Sequence, residues 1–368
     1  MIVRNEADVI ARCLASFAPV VDEIVIVDTG SSDETVKIAS EFTDKIYRFE
    51  WIDDFAAARN FAFSKGTCSH LMWADADDVL PQSQQEAFLR LKQTLEPDAD
   101  VVYLDYTVAF DGSGRPTLSF HRERIVKNDG SFRWEGAVHE FIPPHGKLFY
   151  APTRIEHRPV EKVSRQGRNL AIYRKKLAAN KRLSTRDQFY YARELMFNGL
   201  YEDSVDAFRL FLTAPDGWNV NRVEAARNLS GVLLKLGRKE EALSALTDAL
   251  GYMPPAGELC CEIGNFFFNE NRLPDAAFWY LLATTLKPNR TSGAFINEDC
   301  YGYIPYLQLC VVYYRLGRID DSIDCNEKAL ALKPESPECK QNRLFFDRFK
   351  QTPSSESSEE CGKAHRLL

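Results

Sequence analysis

An α/β domain with a mainly parallel sheet, followed by an all-α solenoid, is the fold class this sequence predicts, and three observations predict it. Up to about residue 160, short apolar runs alternate with amphipathic segments, the pattern of βαβ units. From about residue 166 that pattern gives way to helical periodicity throughout. Within this second half the chain repeats itself at a spacing of 34 residues. The boundaries expected are an α/β domain over 1–165, helical repeats over 166–345 and a tail over 346–368.

In the first half, "DEIVIVDTGSSDETVKIASEF" reads as a strand over residues 24–27, a Gly/Ser turn, and a helix whose apolar positions Ile38 and Phe42 lie four apart. Ser32 or Asp33 can cap that helix, and Glu34 strengthens its first turn. "KIYRFEW" is a second strand, and "FAAARNFAFSKG" a second helix that ends at Gly66. "HLMWADAD" is a third strand and "DADVVYLDYTVAF" a fourth. Ligands in such sheets bind at the carboxyl ends of the strands. Asp28 and Asp75 end two of them, which places both at one edge.

The second half carries three clear units: "LGRKEEALSALTDALGYMP", "ENRLPDAAFWYLLATTLKP" and "LGRIDDSIDCNEKALALKP". Arg238 and Arg272 are 34 positions apart, the helix–turn–helix period of tetratricopeptide arrays. Arg272 to Arg318 is 46, that period plus a 12-residue insertion covering much of "TSGAFINEDCYGY". Ala242, Ala276 and Ser322 take the small position where paired helices cross. Ala249, Ala283 and Ala329 take the next, and Pro254, Pro288 and Pro334 close each unit. A weaker unit, "FNGLYEDSVDAFRLFL", precedes them. Each helix pair leaves an apolar face uncovered, so the units must stack. The tail, "QTPSSESSEECGKAHRLL", is too polar to offset its ordering entropy and is expected to be disordered.

Composition narrows the function. A hydrophobic content of 45% with 27% charged residues suits a globular chain, and a net charge of −7 argues against nucleic-acid binding. No apolar run reaches bilayer-spanning length, and Arg4, Glu6 and Asp8 stand where a signal peptide would be apolar. Nine scattered cysteines without a C-x-x-C pair read as reduced thiols, so a cytoplasmic enzyme or binding protein is expected. From Arg158 to Arg186 the chain holds ten Lys/Arg against one Glu. Such a run is a solvated helix face, or a surface that draws an acidic acceptor or an anionic membrane by peripheral contact.

The chemistry concentrates in "MWADADD". An apolar run delivers Asp75, Asp77 and Asp78 together, and like charges at close range call for a cation. An isolated D-x-D more often makes a turn or caps a helix. Here it stands in an ordered set: "MIVRNEADVIARCL", "IVIVDTGSSDET", "DDFAAARNFAF", "MWADADD" and "FRWEGAVHE". Over residues 1 to about 140 this set resembles family 2 of the glycosyltransferases, with the GT-A nucleotide-sugar fold. It is most similar to the branch that carries tetratricopeptide-like helices and includes bacteriocin-peptide S-glycosyltransferases. In this family the first strand normally begins a few apolar residues before the equivalent of Met1, so a short central strand is expected.

The resemblance implies a UDP-sugar donor and Mg²⁺ or Mn²⁺ bridging its diphosphate. Asp77 would coordinate the ion directly, Asp75 would contact ribose or metal-bound water, and Asp78 would stand behind them. Asp28 would accept the uracil imide proton, Asn5 and Glu6 would line the nucleotide pocket, and Arg59 would lie near base or phosphate. In "WEGAVHEF", Glu140 would be the base that deprotonates the acceptor, His139 a metal or phosphate partner, and Glu135 the reserve base. His157 is either a later metal ligand or a structural histidine. Trp134 either stacks on a sugar or fills the core, and Arg122 and Arg124 could grip phosphate.

The function that follows is an inverting, metal-dependent transfer from a UDP-sugar to a peptide or protein side chain held by the repeats. The rivals are a repeat scaffold with a relic transferase domain, and a transferase acting on envelope lipid or polysaccharide. A dinucleotide enzyme is disfavoured, because no G-x-G-x-x-G follows the first strand.

Overall fold

The short apolar runs of the N-terminal half become short strands, and the helices between them bury their apolar stripes on those strands. The structure, a computed structural model, describes residues 1–96, 98–160 and 167–351. The tail from 352 and residues 161–166 of the basic run therefore lie outside the described residues. The strands of the N-terminal half are β1 (Ile2–Val3), β2 (Ile26–Asp28), β3 (Ile46–Arg48), β4 (His70–Met72), β5 (Asp78–Val79), β6 (Val101–Phe110), β7 (Pro116–Lys127) and β8 (Leu148–His157). Among them run α1 (Ile10–Phe17), α2 (Thr35–Ala39), α3 (Phe55–Phe63) and α4 (Gln82–Thr94).

β1, β2 and β3 pair in parallel, in that order, with Val3 beside Asp28 and Asp28 beside Arg48. β2 is buried along its whole length, as a strand covered on both faces must be. The remaining strands of this half lie in a second sheet, in the order β4-β7-β6-β8-β5. Here β6 and β8 are parallel, whereas β4–β7 and β5–β8 are antiparallel. Parallel pairing thus holds where helices alternate with strands, and the return strands after β6 make the second sheet mixed.

Two of the buried clusters in the α/β core join helix to strand. Ile10 and Leu14 pack with Val3, Ile26 and Ala39, and Phe17, Phe88 and Leu91 pack with Val102, Leu104 and Ile155. α2 ends at Ala39, one turn earlier than the periodicity suggested, although Ile38 and Phe42 still lie against the first cluster. Asp33 stabilises its start, accepting the Thr35 amide on Oδ1 and the Ala7 amide on Oδ2. β1 has only two residues. A cavity of about 410 Å³, lined by Met1, Leu14, Ile24, Val25, Leu71 and Met72 among others, opens beside it.

The remaining helices are α5 (Arg168–Ala178), α6 (Thr185–Phe197), α7 (Tyr201–Leu212), α8 (Asn219–Lys235), α9 (Lys239–Asp248), α10 (Gly257–Asn269), α11 (Leu273–Thr285), α12 (Tyr303–Arg315), α13 (Ile319–Leu332) and α14 (Pro337–Gln351). α6 packs on α7, α10 on α11 and α12 on α13. One turn recurs four times. Gly199, Gly237, Asn271 and Gly317 take left-handed φ values of 75°, 76°, 58° and 74°, where Gly is unstrained and Asn tolerated. The next residues, Leu200, Arg238, Arg272 and Arg318, all sit near φ −90° and ψ 65°. Arg238, Arg272 and Arg318 then donate from Nε to Glu241, Asp275 and Asp321 at 2.7, 2.8 and 2.7 Å. Ala242, Ala276 and Ser322 are fully buried at the crossings, as is Ser204 in the weaker unit. Where serine stands, its hydroxyl is satisfied on the facing helix: Ser204 donates to Ala192 O and Ser322 to Cys310 O. The helical half is therefore a tetratricopeptide-like array.

Contacts divide the chain into two compact units, one of 1–110, 118–225 and 290–295, the other of 111–117, 226–289 and the described residues from 296 onward. α5, α6 and α7 fall in the first unit with the strands. α14 runs past residue 345 because Phe345, Phe346 and Phe349 ring Tyr314. The eight described cysteines are free thiols, all buried except the half-buried Cys68. Among the described residues no helix is long and apolar enough to cross a membrane.

The crossing positions should tolerate no bulk. Ala276→Leu is expected to lower stability in urea unfolding by about 1–3 kcal/mol or more through overpacking. Replacing the exposed Phe278 by Ser should change it by about 0.5 kcal/mol at most. Equal effects would contradict the close helix crossing.

Candidate active site

α3 begins at Asp54, whose side chain accepts the Ala57 amide at 2.9 Å, and this cap fixes where Arg59 and Asn60 point. Asn60 clamps the 134–141 loop: its Nδ2 donates to Trp134 O and its Oδ1 accepts the Trp134 amide, both at 2.9 Å. The loop closes on itself through reciprocal backbone bonds between Glu135 and Phe141. Gly136 and His139 take positive φ values of 93° and 52° to make the turn. At His139 that conformation is strained for a side-chain-bearing residue, a kind of strain that collects at functional sites.

Arg59 joins this loop to the strand end. Its Nε donates to Glu140 Oε1 at 2.6 Å, and its Nη2 donates to Asp75 Oδ1 at 2.7 Å. The guanidinium carbon lies 5.0 Å from the Trp73 ring centre and 4.7 Å from that of Trp134. These rings meet edge to face at 5.1 Å. Burial works to raise the Asp75 carboxyl, but Arg59 and then Arg124 hold it down at about 2. Trp134, nearly wholly buried, fills the core beneath the site and presents no platform for a sugar.

Asp78 plays a different part. Its side chain and that of Arg124 are both fully buried and pair at 2.8 Å. Asp78 Oδ2 also accepts the Asp75 amide, and Oδ1 accepts the Tyr106 hydroxyl. Burial pushes its carboxyl up, against the pull of Arg124. Arg124 is sandwiched between Trp73 and Tyr106, 3.8 and 4.1 Å from their ring centres. The expectation that Arg124 could grip phosphate is therefore corrected: it neutralises Asp78 inside the core. Arg122, partly exposed, donates to Glu140 O at 3.1 Å.

With Asp78 occupied, Asp77 and His157 are the accessible donors. β5 pairs antiparallel with β8, setting Asp78 opposite His157, so the acidic turn and this histidine meet. His157 Nδ1 lies 3.5 Å from Asp77 Oδ1 and 3.9 Å from Asp78 Oδ1. One donor atom from each of Asp77, Asp78 and His157 falls within 4.8 Å of the others. His157 Nδ1 is buried without a hydrogen-bond partner. Burial opposes charge on this imidazole, yet Asp77, Asp78 and Asp75 raise it. Carboxylate oxygens plus one imidazole nitrogen suit Mg²⁺ or, better, Mn²⁺.

The residues expected at the nucleotide, Asp28, Asn5 and Glu6, lie on two tied loops. Asp28, buried at the end of β2, accepts the Ser31 amide on Oδ1 and the Gly30 amide on Oδ2. Asn5, with φ 55°, accepts the Ser32 amide at 2.8 Å, and its own amide donates to Ser31 Oγ. The Glu6 amide donates to Thr35 Oγ1. Glu135 is exposed. His139 does not stand alone: Nε2 lies 2.9 Å from Glu194 Oε1 on α6, and the ring stacks on Tyr190 at 4.1 Å. No motif in the sequence marked Glu194, because its only link to the site is spatial.

Residues 1–152 match the family model "Glycosyl transferase family 2". Over these residues the chain is similar to that family. A TPR repeat-containing protein of Synechococcus elongatus is 37% identical over 144 residues, 39% of this chain and 34% of that protein. The SPbeta prophage-derived glycosyltransferase SunS of Bacillus subtilis is 29% identical over 143 residues, 38% and 33% of the two chains. The chain thus spans about a third of the length of these curated relatives. The crystal structure of YrrB, titled a TPR protein with an unusual peptide-binding site, is 18% identical over 49% of this chain and 84% of its own, with a TM-score of 0.37. That overlap is too loose to carry weight, and the repeat assignment rests on the recurring turn and helix pairs. In the matched region the D-x-D lies on a buried ion pair, and the 410 Å³ cavity is lined by none of Asp75, Asp77 or His157.

The aspartates should separate by experiment. Arg124→Met strands Asp78 and should cost about 3–5 kcal/mol in urea unfolding, whereas Asp77→Ala should cost about 1 kcal/mol or less. Comparable losses would contradict the division between a core aspartate and an open one.

Proposed function

We propose that the family 2 domain is an inverting, metal-dependent glycosyltransferase that moves a sugar from a UDP-sugar to a peptide or protein side chain held by the repeats. The observation that carries this reading is Arg59. It ties the strand-end Asp75 to Glu140 of the loop, and Asp77 and His157 stand beside that strand end. A buried, hydrogen-bonded constellation of this kind holds its groups in place before substrate arrives.

Asp77 and His157 would hold the divalent cation. When bound, the ion would neutralise the diphosphate leaving group. Asp75, kept ionised by Arg59, would take a ribose hydroxyl or metal-bound water, and Asp28, Asn5 and Glu6 would receive the base. Single displacement needs no enzyme nucleophile. Glu140, whose Oε1 accepts from Arg59, would keep the loop closed on the donor, with the exposed Glu135 as a second carboxylate on that loop.

The helical repeats would supply the acceptor surface, since stacked helix pairs suit an extended peptide. A cysteine, serine or threonine side chain is the acceptor we favour. The reduced thiols support a cytoplasmic setting.

Calorimetric titration of UDP with and without Mn²⁺ tests the reading. Binding should require the ion, and Asp77→Ala should weaken it by about tenfold or more, about 1.4 kcal/mol. A folded wild-type sample that binds no UDP would leave the repeats as a scaffold.

A further inference from the structure

Glu194 sits on α6, 55 residues after His139, and its side chain is only 10% exposed. Its Oε1 receives two groups, His139 Nε2 at 2.9 Å and Asn169 Nδ2 at 3.1 Å. Burial works against its charge, but the bonds from His139 and Asn169 keep the carboxyl below its ordinary range. An ionised carboxylate only accepts, so Nε2 must carry a proton. In the neutral ring this leaves the lone pair on Nδ1. Among the described residues Nδ1 has no hydrogen-bond partner, and the histidine side chain is 31% exposed.

The ring is held from several sides. Tyr190 stacks on it at 4.1 Å with planes 13° apart. Arg186 reaches His139 O at 3.4 Å and lies over the Phe141 and Tyr190 rings. The strained φ of 52° at His139 is thus fixed by the loop on one side and by α6 on the other.

We infer that His139 is the proton acceptor of the transfer and that Glu194 is its positioning residue, a catalytic dyad completed by the first helices after the sheet. A carboxylate that orients an imidazole and fixes its tautomer is the arrangement that makes histidine an effective general base. Glu140 is less suited, because one of its oxygens is committed to Arg59. The step rests on the transferase reading above. The acceptor X–H gives its proton to Nδ1, and its electron pair forms the bond from X to the anomeric carbon. The bond from that carbon to the diphosphate oxygen breaks, and the pair leaves with UDP. Nothing is oxidised or reduced.

Two measurements test the dyad. In protein labelled with ¹⁵N-histidine, recorded well above neutral pH and assigned with His139→Gln, His139 should show the Nε2–H tautomer, and Glu194→Gln should abolish that preference. An Nδ1–H ring in the wild type would overturn the inference. The second measurement is UDP release from UDP-glucose and UDP-N-acetylglucosamine, with water or N-acetylcysteine as acceptor. Glu194→Gln should lower kcat by about tenfold or more, and Glu194→Asp should restore part of it. UDP affinity in the presence of Mn²⁺ should change by less than about twofold. The double variant should be no slower than His139→Gln alone, because the two act as one device. Multiplying losses, or equal losses in UDP binding and turnover, would make Glu194 merely structural. A wild type that binds no UDP would sink the transferase reading itself. A wild type that binds UDP and turns over no faster than Glu194→Gln would sink only the dyad.

Discussion

The candidate site depends on one buried guanidinium with two carboxylates. Arg59 is nine-tenths covered, and a cation so placed must be paired and hydrogen-bonded to be tolerated. Asp75 and Glu140 supply the pairing from segments 65 residues apart, and Trp73 and Trp134 supply the ring faces. Lysine could not replace it. Only a planar fork donates along fixed directions to two acceptors while lying against aromatic rings.

Beneath that pair lies a second one, and the order matters. Arg124 and Asp78 neutralise each other in the core, with Tyr106 and the Asp75 amide using the remaining carboxylate valences. The acidic turn is thereby anchored at its third aspartate, which leaves the second, Asp77, projecting beside His157. Three adjacent carboxylates would otherwise repel one another. Burying one with its own counter-charge, pairing one with Arg59 and leaving one open distributes that repulsion over different partners.

What could be read in advance was what is local. The D-x-D, the His139–Glu140 pair and the recurring Arg of the repeats each stand within a few residues of the feature that marks them, and the family match over residues 1–152 agrees with the family resemblance they carry. The four left-handed positions at 199, 237, 271 and 317 follow from Gly or Asn just before the repeated helix start. What escaped was non-local. Arg124 reads as a phosphate ligand until β7 carries it under Trp73. Glu194 reads as an ordinary helix glutamate until α6 meets the 139 loop. The mixed second sheet escaped for the same reason, since strand direction is set by partners that periodicity does not name. α2 is shorter than its pattern because the chain tightens after Ala39, where the Glu41 and Phe42 amides donate three residues back, to Ile38 O and Ala39 O.

Through its two bonds Arg59 makes the aspartate turn and the 134–141 loop one cooperative element. Hydrogen exchange by mass spectrometry on Arg59→Met, which keeps the apolar stem, tests this most directly. Residues 75–79 and 134–141 should lose protection together while the helical repeats are unchanged. Loss confined to one of the two segments, or none in either, would contradict it.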